Sequence, residues 1–161
     1  MARAPDSLPI RCINVAATVL RFDQDPAKVL LLRRRTGVFA GLWCQVTGTI
    51  EAEETAAQAA LREAREETGL VPNGSYSADA CDQFYNADES CIEVVPIFVA
   101  VLETDQPVRL NRENSQYRWV TIDGAVGLVS FVGHRSALRH IENDFVGRTP
   151  EEWRRITDAP L

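Results

Sequence analysis

Residues 48–70 read GTIEAEETAAQAALREAREETGL, and the chemistry of the chain is concentrated there. Arg62 and Glu63 are followed by Glu66 and Glu67, and the run closes on Gly69 and Leu70. Thr55 and Gln58 stand at the spacing of a capping box, which satisfies the free amides at a helix start. Gly69 suits the left-handed position at which helices end. The spacing predicts a helix over 55–68 that carries Glu63, Glu66 and Glu67 on one face, at i, i+3 and i+4. Three carboxylates so placed repel one another. A hard divalent cation held by oxygen ligands would offset that repulsion. Ala57, Leu61, Ala64 and Thr68 form a stripe roughly opposite the acids, small enough to lie close against a sheet.

Outward from this helix the chain reads as alternating strands and turns. Segments 10–22 and 29–33 are predicted strands, separated by a turn around Asp23 and Pro26. Residues 43–50 read as one strand that leads into the acidic helix. Beyond the polar turn at Pro72, Asn73 and Gly74 come predicted strands at 80–86, 92–102 and 116–121. A short apolar helix over 122–128, an amphipathic helix over 133–145 and a final short helix near Pro150 complete the pattern. Mixed strands with two or three helices predict one α/β domain.

Composition narrows the partners. At 161 residues and 45% hydrophobic, the chain suits one soluble domain with its own core. A net charge of −6 argues against a broad electrostatic grip on nucleic acid. An anionic substrate would need local arginines and cations to approach. No apolar run is long enough for a membrane span, and MARAPDSLPIRC lacks the apolar core of a secretion signal, so cytoplasmic residence is the expectation. Cys12, Cys44, Cys81 and Cys91 include no C-x-x-C pair and sit within or beside apolar segments, so buried free thiols are expected. His134 and His140 fall on a polar helix and are expected at the surface.

The acidic segment resembles the Nudix box, G-x5-E-x7-R-E-U-x-E-E-x-G-U, where U is a bulky aliphatic residue. Gly48, Glu54, Arg62, Glu63, Glu66, Glu67, Gly69 and Leu70 occupy its positions, and Ala64 is a small residue at an aliphatic one. The resemblance implies an α/β/α sandwich with a mixed sheet, and hydrolysis of a nucleoside diphosphate linkage with Mg2+ or Mn2+. It assigns Glu63, Glu66 and Glu67 to metal binding, with the Gly48 carbonyl as a further ligand and Glu63 ahead of the other two as general base. Arg62 and Glu54 would brace loop and helix. Glu113, in the loop LNRENSQYRWV, matches a late-loop acid that some Nudix enzymes use, or is a solvated acid. Glu53 stands where many boxes have glycine, and a positive φ there would strain it.

Other candidates lie outside the box. Arg33, Arg34 and Arg35 end the second strand, and alternation sends Arg33 and Arg35 to one face and Arg34 to the other. Arg33 and Arg35 are the expected phosphate contacts. Tyr85 is the expected substrate neighbour, while Trp43 and Phe84 are read as stacking residues or core. In ADP-ribose pyrophosphatases of the family the position of Tyr85 is expected to be proline. The wider stretch, including RENSQYRWV and HRSALRHIENDF, resembles bacterial dATP and dihydroneopterin triphosphate pyrophosphohydrolases. The resemblance implies a small-molecule nucleotide or pterin triphosphate as substrate, and relatives of this kind are commonly homodimers. Dinucleoside polyphosphates and nucleotide sugars are the alternative substrates. An isopentenyl diphosphate isomerase or a non-catalytic nucleotide sensor would share the fold, but the intact acids argue against the sensor.

Overall fold

The computed structural model describes residues 7–157. The reading of the first residues as lacking a secretion signal thus falls partly outside the described residues. Eight strands form one mixed sheet: β1 (Ile10–Arg11), β2 (Asn14–Arg21), β3 (Lys28–Arg34), β4 (Trp43–Cys44), β5 (Val46–Thr49), β6 (Gly74–Asn86), β7 (Cys91–Leu102) and β8 (Asn114–Val120). The main path runs β1-β7-β2-β3-β4, with β6 on β7, β5 on β2 and β8 on β3. β7 pairs in parallel with β1 and β2, and every other pairing is antiparallel.

Helices cover both faces of this sheet. Along β2, Val15, Ala17 and Val19 join one core while Ala16 and Leu20 join the other; along β3, Leu30 and Leu32 oppose Val29 and Leu31. These strands read as continuous apolar runs because both of their faces are buried. Helix α1 (Ala56–Thr68) packs on the first face through Ala59, Ala60 and Ala64. Helices α2 (Ile122–Leu128) and α3 (Val132–Ile141) cover the second through Ala125, Ala137, Leu138 and Ile141. The α/β/α sandwich is the expected one.

Several local expectations change. The single strand expected over 43–50 is two, because Trp43 and Cys44 pair with β3 whereas Val46–Thr49 pair with β2. Gln45 sits at the switch, buried, its side chain hydrogen-bonded with the Thr18 hydroxyl. β2 uses Asn14–Ala17 for β5 and only Leu20 and Arg21 for β3, so the two halves of the sheet diverge there. α3 ends at Ile141 and passes into a π turn, Glu142–Val146, rather than continuing as α-helix to 145. The last turn, Glu152–Arg154, is 3-10 and begins after Pro150.

All four cysteines are free, but only Cys44 and Cys91 are buried. Cys12 lies in the short connection between β1 and β2, and Cys81 lies on β6, where β7 is the one neighbouring strand among the described residues. Both histidines are half-buried rather than at the surface, because α3 packs closely on the sheet. The His140 Nε2 lies 2.6 Å from the Ala78 carbonyl, and the His134 ring meets Phe131 edge-on at 5.2 Å.

Candidate active site

Helix α1 begins as its sequence requires. The Thr55 hydroxyl accepts a hydrogen bond from the Gln58 amide and the Gln58 side-chain carbonyl accepts one from the Thr55 amide, while Gly69 takes φ 71° and closes the helix onto the Arg65 carbonyl. The stripe on its inner face is not the expected one. Ala60, Ala64 and Thr68 are buried with Ala59, whereas Ala57 and Leu61 are only half-buried. Residues 60, 64 and 67 follow the helical repeat, so Glu67 turns inward and is 1% exposed. The three acids therefore grade from exposed Glu66 through half-buried Glu63 to buried Glu67.

Arg62 ties the preceding loop to this helix. Its Nε and Nη2 donate to the two Glu54 carboxylate oxygens at 3.1 and 2.7 Å, and Nη2 also donates to the Thr49 carbonyl at 2.8 Å. Nη1 donates to Glu63 at 2.8 Å and to Glu66 at 3.3 Å. Such a forked pair fixes orientation as well as charge. The Arg62 hydrogen bonds lower the Glu54 pKa and raise that of Arg62. Glu53 does adopt positive φ, 68°, a conformation that costs a non-glycine residue about 1 kcal/mol.

Glu63 lies directly over Gly48 of β5, where any Cβ would overlap its carboxyl group. Burial raises its pKa against the lowering influence of Arg62. The pKa of Glu67 is pushed up to about 8, chiefly by burial, with the nearby Arg34 charge opposing. Asn114 donates to Glu67 Oε2 at 3.2 Å, while Oε1 has no hydrogen-bond partner and Arg34 stands 4.0 Å away. Arg34 also reaches Glu113, which is exposed, at 3.5 Å.

These groups border a cleft of about 1210 Å³. Gly48, Glu63, Glu113 and Tyr85 line it, and Glu66 and Glu67 stand outside its lining. Of the three arginines, Arg34 faces the cleft. Arg33 instead donates to the Gly41 carbonyl and Gln116, and Arg35 to the Asn114 carbonyl. The face nearest the acids belongs to Arg34, beyond a register shift between Arg33 and Arg34, and β3 ends at Arg34, so regular alternation does not run through Arg35. Phe39, Phe84 and Phe131 add aromatic wall, while Trp43 packs against the core beneath Arg118. Nothing in the sequence singled out Phe39, Phe131 or Asn114. Arg34 was legible as one of three.

Among the described residues no three Asp, Glu, His or Cys side chains converge on a point where they could hold an ion. The donor chemistry nevertheless suits a hard cation. It is all oxygen, and one buried Glu67 oxygen has no partner while burial penalises its ionised form.

A mixed sheet between helices, with an Arg-braced acidic helix at its cleft, defines a class of domain rather than one protein. The chain belongs to the NUDIX domain family, whose model matches residues 13–141. It is 30% identical over 121 residues to the asymmetrical bis(5'-nucleosyl)-tetraphosphatase of Sus scrofa, covering 74% of this chain and 81% of that protein. It is 34% identical over 139 residues to the octanoyltransferase of Myxococcus xanthus, covering 81% of this chain but only 36% of that protein. The fold superposes on the dihydroneopterin triphosphate pyrophosphohydrolase of E. coli with a TM-score of 0.65 at 26% identity, covering 82% and 94% of the two chains. No described helix is long and apolar enough to cross a membrane.

Proposed function

We propose that this chain is a Mg2+- or Mn2+-dependent hydrolase of a nucleotide phosphoanhydride bond. Its substrate is a nucleoside or pterin triphosphate, cleaved to the monophosphate and pyrophosphate. The observation that carries the reading is the graded acidic helix, braced by Arg62, with Glu63 against Gly48 at a cleft that also holds Arg34. The likeness to the E. coli pyrophosphohydrolase supports the triphosphate.

The ligands would be Glu63, Glu66 and Glu67 with the Gly48 carbonyl, and Glu113 from the neighbouring loop. When bound, the ion neutralises phosphate charge and acidifies a coordinated water. The chain's own residues do the rest. Arg62 keeps Glu63 oriented and shares its positive charge among three carboxylates. Glu63 is half-buried with a raised pKa and, unlike Glu67, lines the cleft, which suits it to take a proton from water there. Arg34 offers the cleft a cation for the phosphate chain. Asn114 holds Glu67 by one oxygen and leaves the other free for a ligand.

A second reading, asymmetrical cleavage of a dinucleoside tetraphosphate, is favoured by the Sus scrofa relative, which matches 74% of this chain. Product analysis in Mg2+ separates the two. The chain is incubated with dATP, GTP and dihydroneopterin triphosphate, beside diadenosine tetraphosphate and ADP-ribose. Pyrophosphate from a triphosphate with the highest kcat/KM supports the first reading. A preference of about 100-fold for the dinucleotide, some 2.7 kcal/mol of transition-state discrimination, replaces it with the second.

A further inference from the structure

Strand β7 carries an acid on its buried face. Glu93, Val95 and Ile97 alternate inward, and all three line the cleft. Glu93 is 2% exposed. Its Oε1 accepts from Asn86 Nδ2 at 3.3 Å and lies 3.6 Å from both the Cys91 thiol and Arg11 Nε. Its Oε2 is buried with no hydrogen-bond partner. One oxygen thus anchors the carboxylate and the other is left over. An unsatisfied buried acceptor is costly, and a ligand that supplies a donor removes the cost.

Position says which part of a ligand would do so. Gly48 pairs with Val15, and the adjacent Ala16 pairs with Ile97. Glu93 lies four residues before Ile97, three from the level of Gly48, and two strands across from β5, roughly 14 Å from Gly48 by strand geometry. A phosphate chain held at the acidic helix would carry its heterocycle to that distance across the ribose or side chain. Phe84, the cross-strand partner of Glu93, offers an aromatic surface for the ring, and it too lines the cleft.

We infer that Glu93 recognises the heterocycle of the substrate, and that it selects a 2-amino-4-oxopyrimidine ring, as found in guanine and pterins. The inference rests on the reading of the cleft as a nucleotide hydrolase site. An ionised carboxylate only accepts hydrogen bonds. Guanine and pterins present a ring N–H beside an exocyclic amine, two adjacent donors that can converge on the two lone pairs of the one free oxygen, Oε2. Adenine sets an acceptor nitrogen beside its amine, uracil flanks its N–H with carbonyls, and hypoxanthine lacks the amine. A matched pair of hydrogen bonds to a base edge gives discrimination on the order of tenfold or more.

Calorimetric titration of the full chain with GMP, neopterin monophosphate, IMP, AMP and UMP tests this without turnover. GMP or the pterin should bind at least about tenfold tighter than IMP, AMP and UMP, and the better of the two names the source of the ring. Glu93→Gln should reduce that preference to less than about threefold. Glu89→Gln, which neutralises an exposed acid paired with Arg11 and leaves Glu93 in place, should keep it. Equal binding of all five ligands, no binding of any, or the same loss of preference in both variants overturns the assignment. Selective GMP binding by a chain that cleaves no triphosphate sustains it while removing the proposed hydrolase. Triphosphate cleavage blind to the base does the reverse.

Discussion

Gly48 and Glu63 share one small volume: a side chain on the glycine would overlap the glutamate's carboxyl group. Only hydrogen at Gly48 lets a strand residue and a helix acid meet so closely. Gly48→Ala should therefore displace Glu63 while the capping of α1 stays intact. Misplacing a reacting group by about 1 Å costs on the order of 10²-fold in rate. We expect kcat to fall by about that factor, with circular dichroism unchanged. An active Gly48→Ala enzyme would show that Glu63 can act from another position.

Arg62 makes five hydrogen-bonded contacts, to Glu54 twice, Glu63, Glu66 and the Thr49 carbonyl. Lysine cannot reproduce this fork. Arg62→Lys should lower stability by about 2 kcal/mol, since hydrogen bonds to charged groups contribute about 1.5–3 kcal/mol each and some are retained. It should also lower the rate. Urea unfolding measures the first effect, and a variant as stable as wild type would mean that the brace contributes nothing.

Glu67 gives a pH dependence in metal-free protein. Its pKa is about 8 when folded, against 4.5 for an unperturbed glutamate. Below the lower value it is protonated in both states and costs nothing. As pH rises from about 4.5 to 8 the unfolded chain releases the proton while the folded chain keeps it, so stability falls. In EDTA, Tm should decline across this window, and Glu67→Gln should remove that part of the slope. Mg2+ should restore stability most at the alkaline end, where the carboxylate is ionised. A slope identical in both proteins would locate the titration elsewhere.

Much of this site was legible because its signals are local. The capping box and the left-handed glycine are set by neighbours in the chain, and each appears where its spacing requires. What was missed depends on tertiary approach. The inward turn of Glu67 follows from which side of α1 meets the sheet, and sequence could not rank Ala60 above Ala57. The choice of Arg34 over Arg33 and Arg35 depends on where β8 shifts register against β3. Glu93 had a signal, an acid on the inward phase of an apolar strand, but its free oxygen is visible only with Asn86, Cys91 and Arg11 in place. The expected strand over 43–50 divided because Gln45 changes partners between two half-sheets, which alternation within one strand cannot reveal.

The most direct test is metal-dependent pyrophosphate release from a nucleoside triphosphate, compared among wild type, Glu63→Gln and Glu67→Gln. Wild-type turnover should vanish in EDTA and return with Mg2+ or Mn2+. Both variants should be slower by at least about 10²-fold, the scale of a positioned base or electrostatic group. Their metal-free Tm should equal or exceed that of wild type, because Glu63→Gln removes a crowded charge and Glu67→Gln removes the cost of holding a buried carboxyl protonated. Turnover that persists in EDTA, or near-normal rates in both folded variants, would contradict the account.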